Sequence, residues 1–399
     1  MFSQVFLFLP IRQSLLALCS LILISACGNS FSGSDDSLRK VKVAVLLPLG
    51  SKDPGVRKLA KSAERAARMA MWDLRTNVAM QMSVYDTEGS ELQAAEMATL
   101  AVDEGAQVII GPLFAGASNA AGLAVAKKSI SVLSLSNNAE IAGGNVYVLG
   151  HTFQNTADRL VNYAVRQGKR RALIVHANNV SGYAGSDAVE RALIKNGTAE
   201  VGKENYDFTQ QDVVDAMTRV AIRNELVGAD IVFLTADYDG ALPLIAQLLP
   251  EAGVNPATVQ YAGVAQWNAL PSAFNLPGIQ GGWFALPSPI RTQQFEERFQ
   301  TIYQTTPHPI AAIAYDGVAA VGASISTGNR NALNTRGLTL SSGFQGAAGI
   351  FRLRKDGTVE RGLAIAKIEG NQVIILDAAP RTFNNFCLLY TSPSPRDVE

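Results

Sequence analysis

Short β-branched or aliphatic runs alternate with helical stretches along most of this chain, and that alternation constrains the fold more than any other feature. Val41–Leu49, Met82–Asp86, Val108–Ile110 and Ile130–Ser134 read as strands. Helical patterns over Leu59–Leu74, Glu91–Asp103 and Asn119–Lys128 separate them. A second series follows. Strands are expected over Arg171–His176, Ile231–Thr235 and Val259–Ala262, and helices over Ala157–Gln167, Gly185–Lys195, Val213–Glu225 and Leu242–Leu249. Strands alternating with helices imply right-handed β-α-β units on parallel sheets. Two such series imply two α/β lobes, each with a parallel sheet, rather than one continuous sheet.

Residues 283–289 read as a segment crossing between the lobes, after which helices over Gln293–Tyr303 and Ile310–Ile325 return to the first. Gly349–Arg354, Asp356-Gly357 and Ala364–Ile368 read as a hairpin-like end on the second lobe. The expected division is therefore 41–152 with 286–340 for the first lobe, and 153–285 with 341–383 for the second.

The stretch Gly105–Ser118 carries the clearest local signal. Val108–Ile110 has the apolar continuity of a strand buried on both faces, and Gly111-Pro112 ends it. Ser118 precedes the helical run and suits an N-cap. A strand, a glycine turn and a helix start can hold a small anion in an open parallel sheet. The same unit also serves as plain scaffold in many proteins.

Composition removes several function classes. Formal net charge is +0, so the basic excess of a nucleic-acid binder is missing. The sequence has only 3 His, none at metal-ligand spacing to another, and implies neither metal nor cofactor. It contains no G-x-S-x-G, H-E-x-x-H, P-loop or G-x-G-x-x-G motif, so the expectation is a protein that is not an enzyme. Its 3 Cys lie at positions 19, 27 and 387, outside the α/β body, and give no disulfide framework.

The N-terminus reads as an export signal. Arg12 precedes the apolar run Ser14–Ala26, short for a spanning helix and suited to a signal-peptide core. Ile24-Ser-Ala-Cys27 resembles a bacterial lipobox, which implies cleavage after residue 26 and a lipid on Cys27. Residues 28–38 are Ser- and Gly-rich, so 27–40 form a flexible tether of roughly 20 Å reach. Gly28 after the Cys resembles lipoproteins sorted to the outer membrane. Residues 384–399 contain Cys387 and two Pro without periodicity, and resemble translated adaptor sequence. They are expected to form a disordered tail.

Four motifs carry a wider resemblance: Val43-Ala-Val-Leu-Leu-Pro-Leu49, Val84-Tyr-Asp-Thr-Glu-Gly89, Val108-Ile-Ile-Gly-Pro-Leu113 and Val132-Leu-Ser-Leu-Ser-Asn137. With Phe295, Phe299 and Ala314-Tyr-Asp-Gly-Val318, they resemble type 1 periplasmic binding proteins of the leucine-binding kind over roughly 41–380. Within that superfamily, Leu46-Leu-Pro-Leu49, Tyr85-Asp-Thr87, Gly111-Pro-Leu113 and Val148-Leu-Gly150 are most similar to the penicillin-binding protein activator lipoproteins. Activators of that kind can carry a helical-repeat domain ahead of this fold; a short tether stands there in this sequence.

The resemblance implies a cleft between the lobes. Its first-lobe edge offers Ser51, Ser118, Ser136 and Asn137, and its second-lobe edge Tyr183, Asp237 and Asp239. In the amino-acid-binding relatives, hydroxyls after the third and fourth strands hold a carboxylate, while a Tyr and an acid hold the ammonium. Each of these residues also has a local alternative: Ser118 and Asp239 as helix caps, Ser136 and Asn137 as turn residues. The resemblance to activators implies a regulator of a penicillin-binding peptidoglycan synthase, held in the periplasm by its lipid. The alternative is a receptor for branched-chain or other amino acids feeding an ABC transporter.

Overall fold

A computed structural model describes residues 40–329 and 331–383. The signal, Cys27, the tether before residue 40 and the tail lie outside the described residues. In chain order the first lobe begins β1 (Val41–Leu47), α1 (Pro54–Leu74), β2 (Met80–Asp86), α2 (Glu91–Asp103), β3 (Val108–Ile110), α3 (Ala115–Val125), β4 (Ser131–Ser134) and β5 (Val146–Val148). The strands form a parallel sheet in the order β2-β1-β3-β4-β5. β1, β3, β4 and β5 are almost wholly buried because helices cover both faces, which explains their apolar continuity.

The second lobe begins with α4 (Phe153–Arg166), β6 (Arg171–Ala177), α5 (Val180–Lys195), β7 (Ala199–Tyr206), α6 (Gln210–Val227), β8 (Ile231–Leu234), α7 (Leu242–Glu251), β9 (Gln260–Gly263) and β10 (Trp283–Leu286). The chain returns through α8 (Pro289–Tyr303), α9 (Ile310–Ile325), α10 (Thr335–Leu338), β11 (Phe344–Gly346), β12 (Gly349–Leu353) and β13 (Val359–Arg361), and ends with β14 (Ala364–Glu369) and β15 (Gln372–Asp377). The second sheet runs β15-β14-β10-β9-β8-β6-β7, in which β14 alone is antiparallel to the rest, pairing antiparallel with both β10 and β15. This is a two-lobed α/β fold with parallel sheets at the heart of each lobe.

Two parts of the expected division change. Residues 283–286 are a strand of the second sheet, and the crossing itself is 287–288. The hairpin β12–β13 with β11 forms a separate small sheet that belongs to the first lobe. Phe344, Phe351, Leu353 and Val359 join Val43, Ile110, Leu149 and Ile313 in one apolar core. The Asp356-Gly357 turn touches β5, where Val148 N–H donates to Gly357 O at 2.9 Å. Only the second hairpin, β14–β15, lies on the second lobe. Trp267 is fully buried, packed against the backbone at Gly263 and Gly282. Trp283 is buried edge-on to Tyr163, with ring centroids 4.9 Å apart, so both tryptophans serve the core.

The chain passes between lobes at 149–152, 287–288 and 362–363. Each connection is short. The first two leave the C-terminal end of a strand and enter the N-terminal end of a helix in the other lobe, so the C-terminal edges of the two sheets border one cleft. Among the described residues, no helix is long and apolar enough to cross a membrane.

Candidate functional site

Each parallel sheet reverses its strand order once, between β1 and β3 in the first lobe and between β6 and β8 in the second. Loops diverge at such a point and leave a crevice at the strand ends, where ligands bind in open α/β sheets. In the first lobe, Gly111 closes β3 with φ +91, and its Cα lies against the Leu46 carbonyl of β1. A Cβ would collide with that carbonyl, so the turn requires glycine. It brings the start of α3 to the crevice.

That helix start differs from those of α1, α2 and α4. Asp53 caps α1 by accepting from Gly55 N–H at 2.7 Å, Ser90 caps α2 through Gln93 N–H at 3.4 Å, and Thr152 caps α4 in a capping box. α3 begins at Phe114, which has no side-chain cap, and the N–H groups of Ala115, Gly116 and Ala117 donate no hydrogen bond among the described residues. Unpaired N–H groups at the positive end of the helix dipole suit an anion. Glu91 approaches Gly116 from α2.

The predicted first-lobe residues are more internal than the sequence suggests. Ser118 is not the N-cap: it lies inside α3, fully buried, 3.2 Å from Pro112 O and 2.7 Å from Ser134 Oγ. The helix starts earlier because Ala115-Gly116-Ala117 take helical geometry without a polar cap. Ser136 is buried, and its Oγ accepts from Asn138 N–H at 3.1 Å. Asn137 is exposed beside it. Ser51 is buried at the other side of the crevice, where its Oγ accepts from Asp53 N–H at 3.3 Å. Phe114, which no sequence signal singled out, is 39% exposed and lies near Gly89 at this edge.

On the second lobe, the structure brings Asp237 and Asp239 together around a pocket of about 140 Å³. Its floor is Tyr206 at the end of β7 and Thr235 after β8, and Phe208 lies at its side. Neither acid accepts a side-chain hydrogen bond or forms an ion pair among the described residues. Asp239 is not a cap, because α7 has Ala241 at its N-cap position without a side-chain bond. Tyr206 OH and Thr235 Oγ1 are buried and have no hydrogen-bond partner among the described residues. Burial, and then the nearby charge of Asp237, push the Tyr206 hydroxyl up to about 12, so it remains protonated. Tyr183 lies apart from this pocket. Its hydroxyl donates to Asn178 Oδ1, and its ring sits 5.2 Å from that of His176. Among the described residues, no group of His, Cys, Asp and Glu could hold a metal ion.

The first-lobe crevice thus presents free N–H groups, and the second-lobe pocket presents free carboxylates. Residues 40–372 match the family described as periplasmic binding protein. The chain belongs to that family. Solved structures share its fold at low identity. A branched-chain amino acid ABC transporter periplasmic ligand-binding protein from Burkholderia xenovorans is 16% identical, with TM-score 0.66 over 86% of this chain and 96% of that one. An ABC transporter substrate-binding protein from Desulfitobacterium hafniense, in complex with Leu, is 19% identical, with TM-score 0.62 over 84% and 100%. A leucine-binding protein from Thermotoga maritima is 18% identical, with TM-score 0.56 over 85% and 98%. No curated protein matches the sequence.

In this periplasmic binding protein, a buried ion pair ties the crossing segments together. Arg361, the last residue of β13, donates from Nε to Leu149 O at 2.9 Å and from Nη1 to Asp316 Oδ2 at 2.7 Å. Asp316 in turn accepts from Ala347 N–H at 2.6 Å. Ser288 N–H, in the second crossing, donates to Ala348 O at 2.9 Å. The Arg361 and Asp316 side chains are 2% and 0% exposed. Burial pushes the Asp316 carboxyl up, while Arg361 and the Ala347 N–H pull it back.

Proposed function

We propose that this protein is the solute-binding component of a periplasmic uptake system and that its ligand is an amino acid or a close analogue. The ligand's carboxylate would meet the free N–H groups of Ala115, Gly116 and Ala117, and its ammonium would meet Asp237 or Asp239. The observation that carries this reading is the pairing of an uncapped helix start with unpaired acids at the two switch points. Charges of opposite sign on the two lobes suit a zwitterion, which both lobes would grip on closure. The family match and the amino-acid transport proteins that share the fold support this reading over regulation of a penicillin-binding synthase. An ABC permease is then the expected partner, and the lipid on Cys27 would hold the receptor beside its membrane. Calorimetry with pooled amino acids tests it against the regulator reading. Micromolar binding supports the receptor. Stimulation of a purified penicillin-binding synthase by a protein that takes up no amino acid would overturn it.

A further inference from the structure

The second-lobe pocket holds more negative charge than one ammonium needs. Asp237 and Asp239 both line it, and no Lys or Arg does. Neighbouring acids are already matched: Asp207 accepts from Asn178 Nδ2 at 2.8 Å, and Asp212 faces Arg219 at 3.6 Å. The two pocket acids have no such partner among the described residues. Below them, two hydroxyls wait for one. Tyr206 is 1% exposed and Thr235 9%, yet neither side-chain oxygen has a hydrogen-bond partner among the described residues. Buried hydroxyls are normally satisfied, so a pair left open on one pocket floor points to a bound group.

The pocket's side is aromatic. Phe208 lines the pocket and is 64% exposed, so its ring is accessible to a group held there. A Cβ placed on Gly240 would lie 2.9 Å from Asp237 Oδ1 and 3.1 Å from Phe208 Cζ. The carboxylate and the ring therefore flank one point. Carboxylates beside an aromatic ring, above hydroxyls that can accept, recognise an alkylammonium: the charge meets the acids, its N–H groups meet the oxygens, and its methylenes lie on the ring.

We propose that this pocket takes a second, side-chain ammonium, so that the ligand is a basic amino acid of the lysine or ornithine type rather than a branched-chain one. The inference rests on the solute-binding reading and narrows it. One acid balances the α-ammonium and the other the side chain, while the start of α3 takes the carboxylate.

Calorimetry of the full chain with L-lysine and L-leucine tests the proposal, using wild type, Asp237→Asn/Asp239→Asn and Phe208→Ala. L-lysine should bind at least about tenfold more tightly than L-leucine. The double Asn variant, whose exposed loop positions leave the melting temperature unchanged, should weaken lysine by about tenfold or more. Phe208→Ala should weaken it by a smaller factor. Leucine binding as tightly as lysine, or lysine binding unchanged in the double variant, overturns the side-chain ammonium and leaves the receptor reading standing. Failure of both amino acids, and of the pooled set, removes the receptor reading as well.

Discussion

Arg361→Met is the sharpest perturbation of this fold. The substitution keeps much of the apolar stem and removes the guanidinium. It leaves Asp316, whose side chain is 0% exposed, with Ala347 N–H as its remaining partner, and it strips Leu149 O of two donors. Removing one partner of a buried ion pair costs about 3–5 kcal/mol, because the other charge stays desolvated. Replacing both partners by apolar groups avoids that charge. Arg361→Met/Asp316→Leu should therefore cost clearly less than the two single losses added, with about 1 kcal/mol for each backbone group left open. The pH dependence has a definite sign. Burial already raises the Asp316 carboxyl, and loss of Arg361 raises it further. A carboxyl whose folded pKa lies above its unfolded value binds more protons when folded, so its destabilising effect shrinks as pH falls toward the folded value. Equilibrium urea denaturation of wild type, both single variants and the double at pH 7 and pH 5 measures all of this. A loss below about 1 kcal/mol at pH 7, or a loss that grows relative to wild type as pH falls, would refute the reasoning.

His151, in the first crossing, is partly buried with its Nδ1 enclosed, and desolvation together with the nearby Arg361 charge depresses it to about 3. Its unfolded value is about 6.5, so the stability it contributes at neutral pH is lost as pH falls through that value, by about 2 kcal/mol at pH 5. His151→Gln should flatten the stability curve between pH 7 and pH 5, and urea titrations at the two pH values would show an unaltered slope if His151 were not the cause. Cys27→Ser should release the mature protein from the membrane fraction, since an acyl chain contributes about 0.8 kcal/mol per buried CH₂. Equal retention of the variant after fractionation would disprove the lipid anchor.

The α/β alternation was legible because buried parallel strands and amphipathic helices have different periods. The helices 91–103 and 310–325 and the strand 108–110 have the expected bounds. β5 was missed because a run of only Val146–Val148 carries little signal. β7 was missed because Ala-Glu-Val-Gly-Lys-Glu-Asn-Tyr is half polar, as suits the edge strand it forms. That omission hid Tyr206, since only the strand's end places its hydroxyl under Asp237. The family resemblance singled out the acids, and the structure places both at one pocket. Phe208 and Arg361 were not legible, because their roles come from contacts distant in sequence. The small third sheet shows the same limit: its hairpin is local and visible, but its lobe is set by Val148 meeting Gly357.

The threading of the chain dictates an order of assembly. The apolar face of β1, β3 and β5 is covered partly by α9, and partly by a sheet that begins at Phe344. A chain emerging from its N-terminus would expose that face until more than three quarters of its length had appeared. The second lobe likewise lacks β14 and β15 until the end. Neither lobe can therefore complete its sheet and core before the C-terminal third of the chain is present, and the two lobes must finish together.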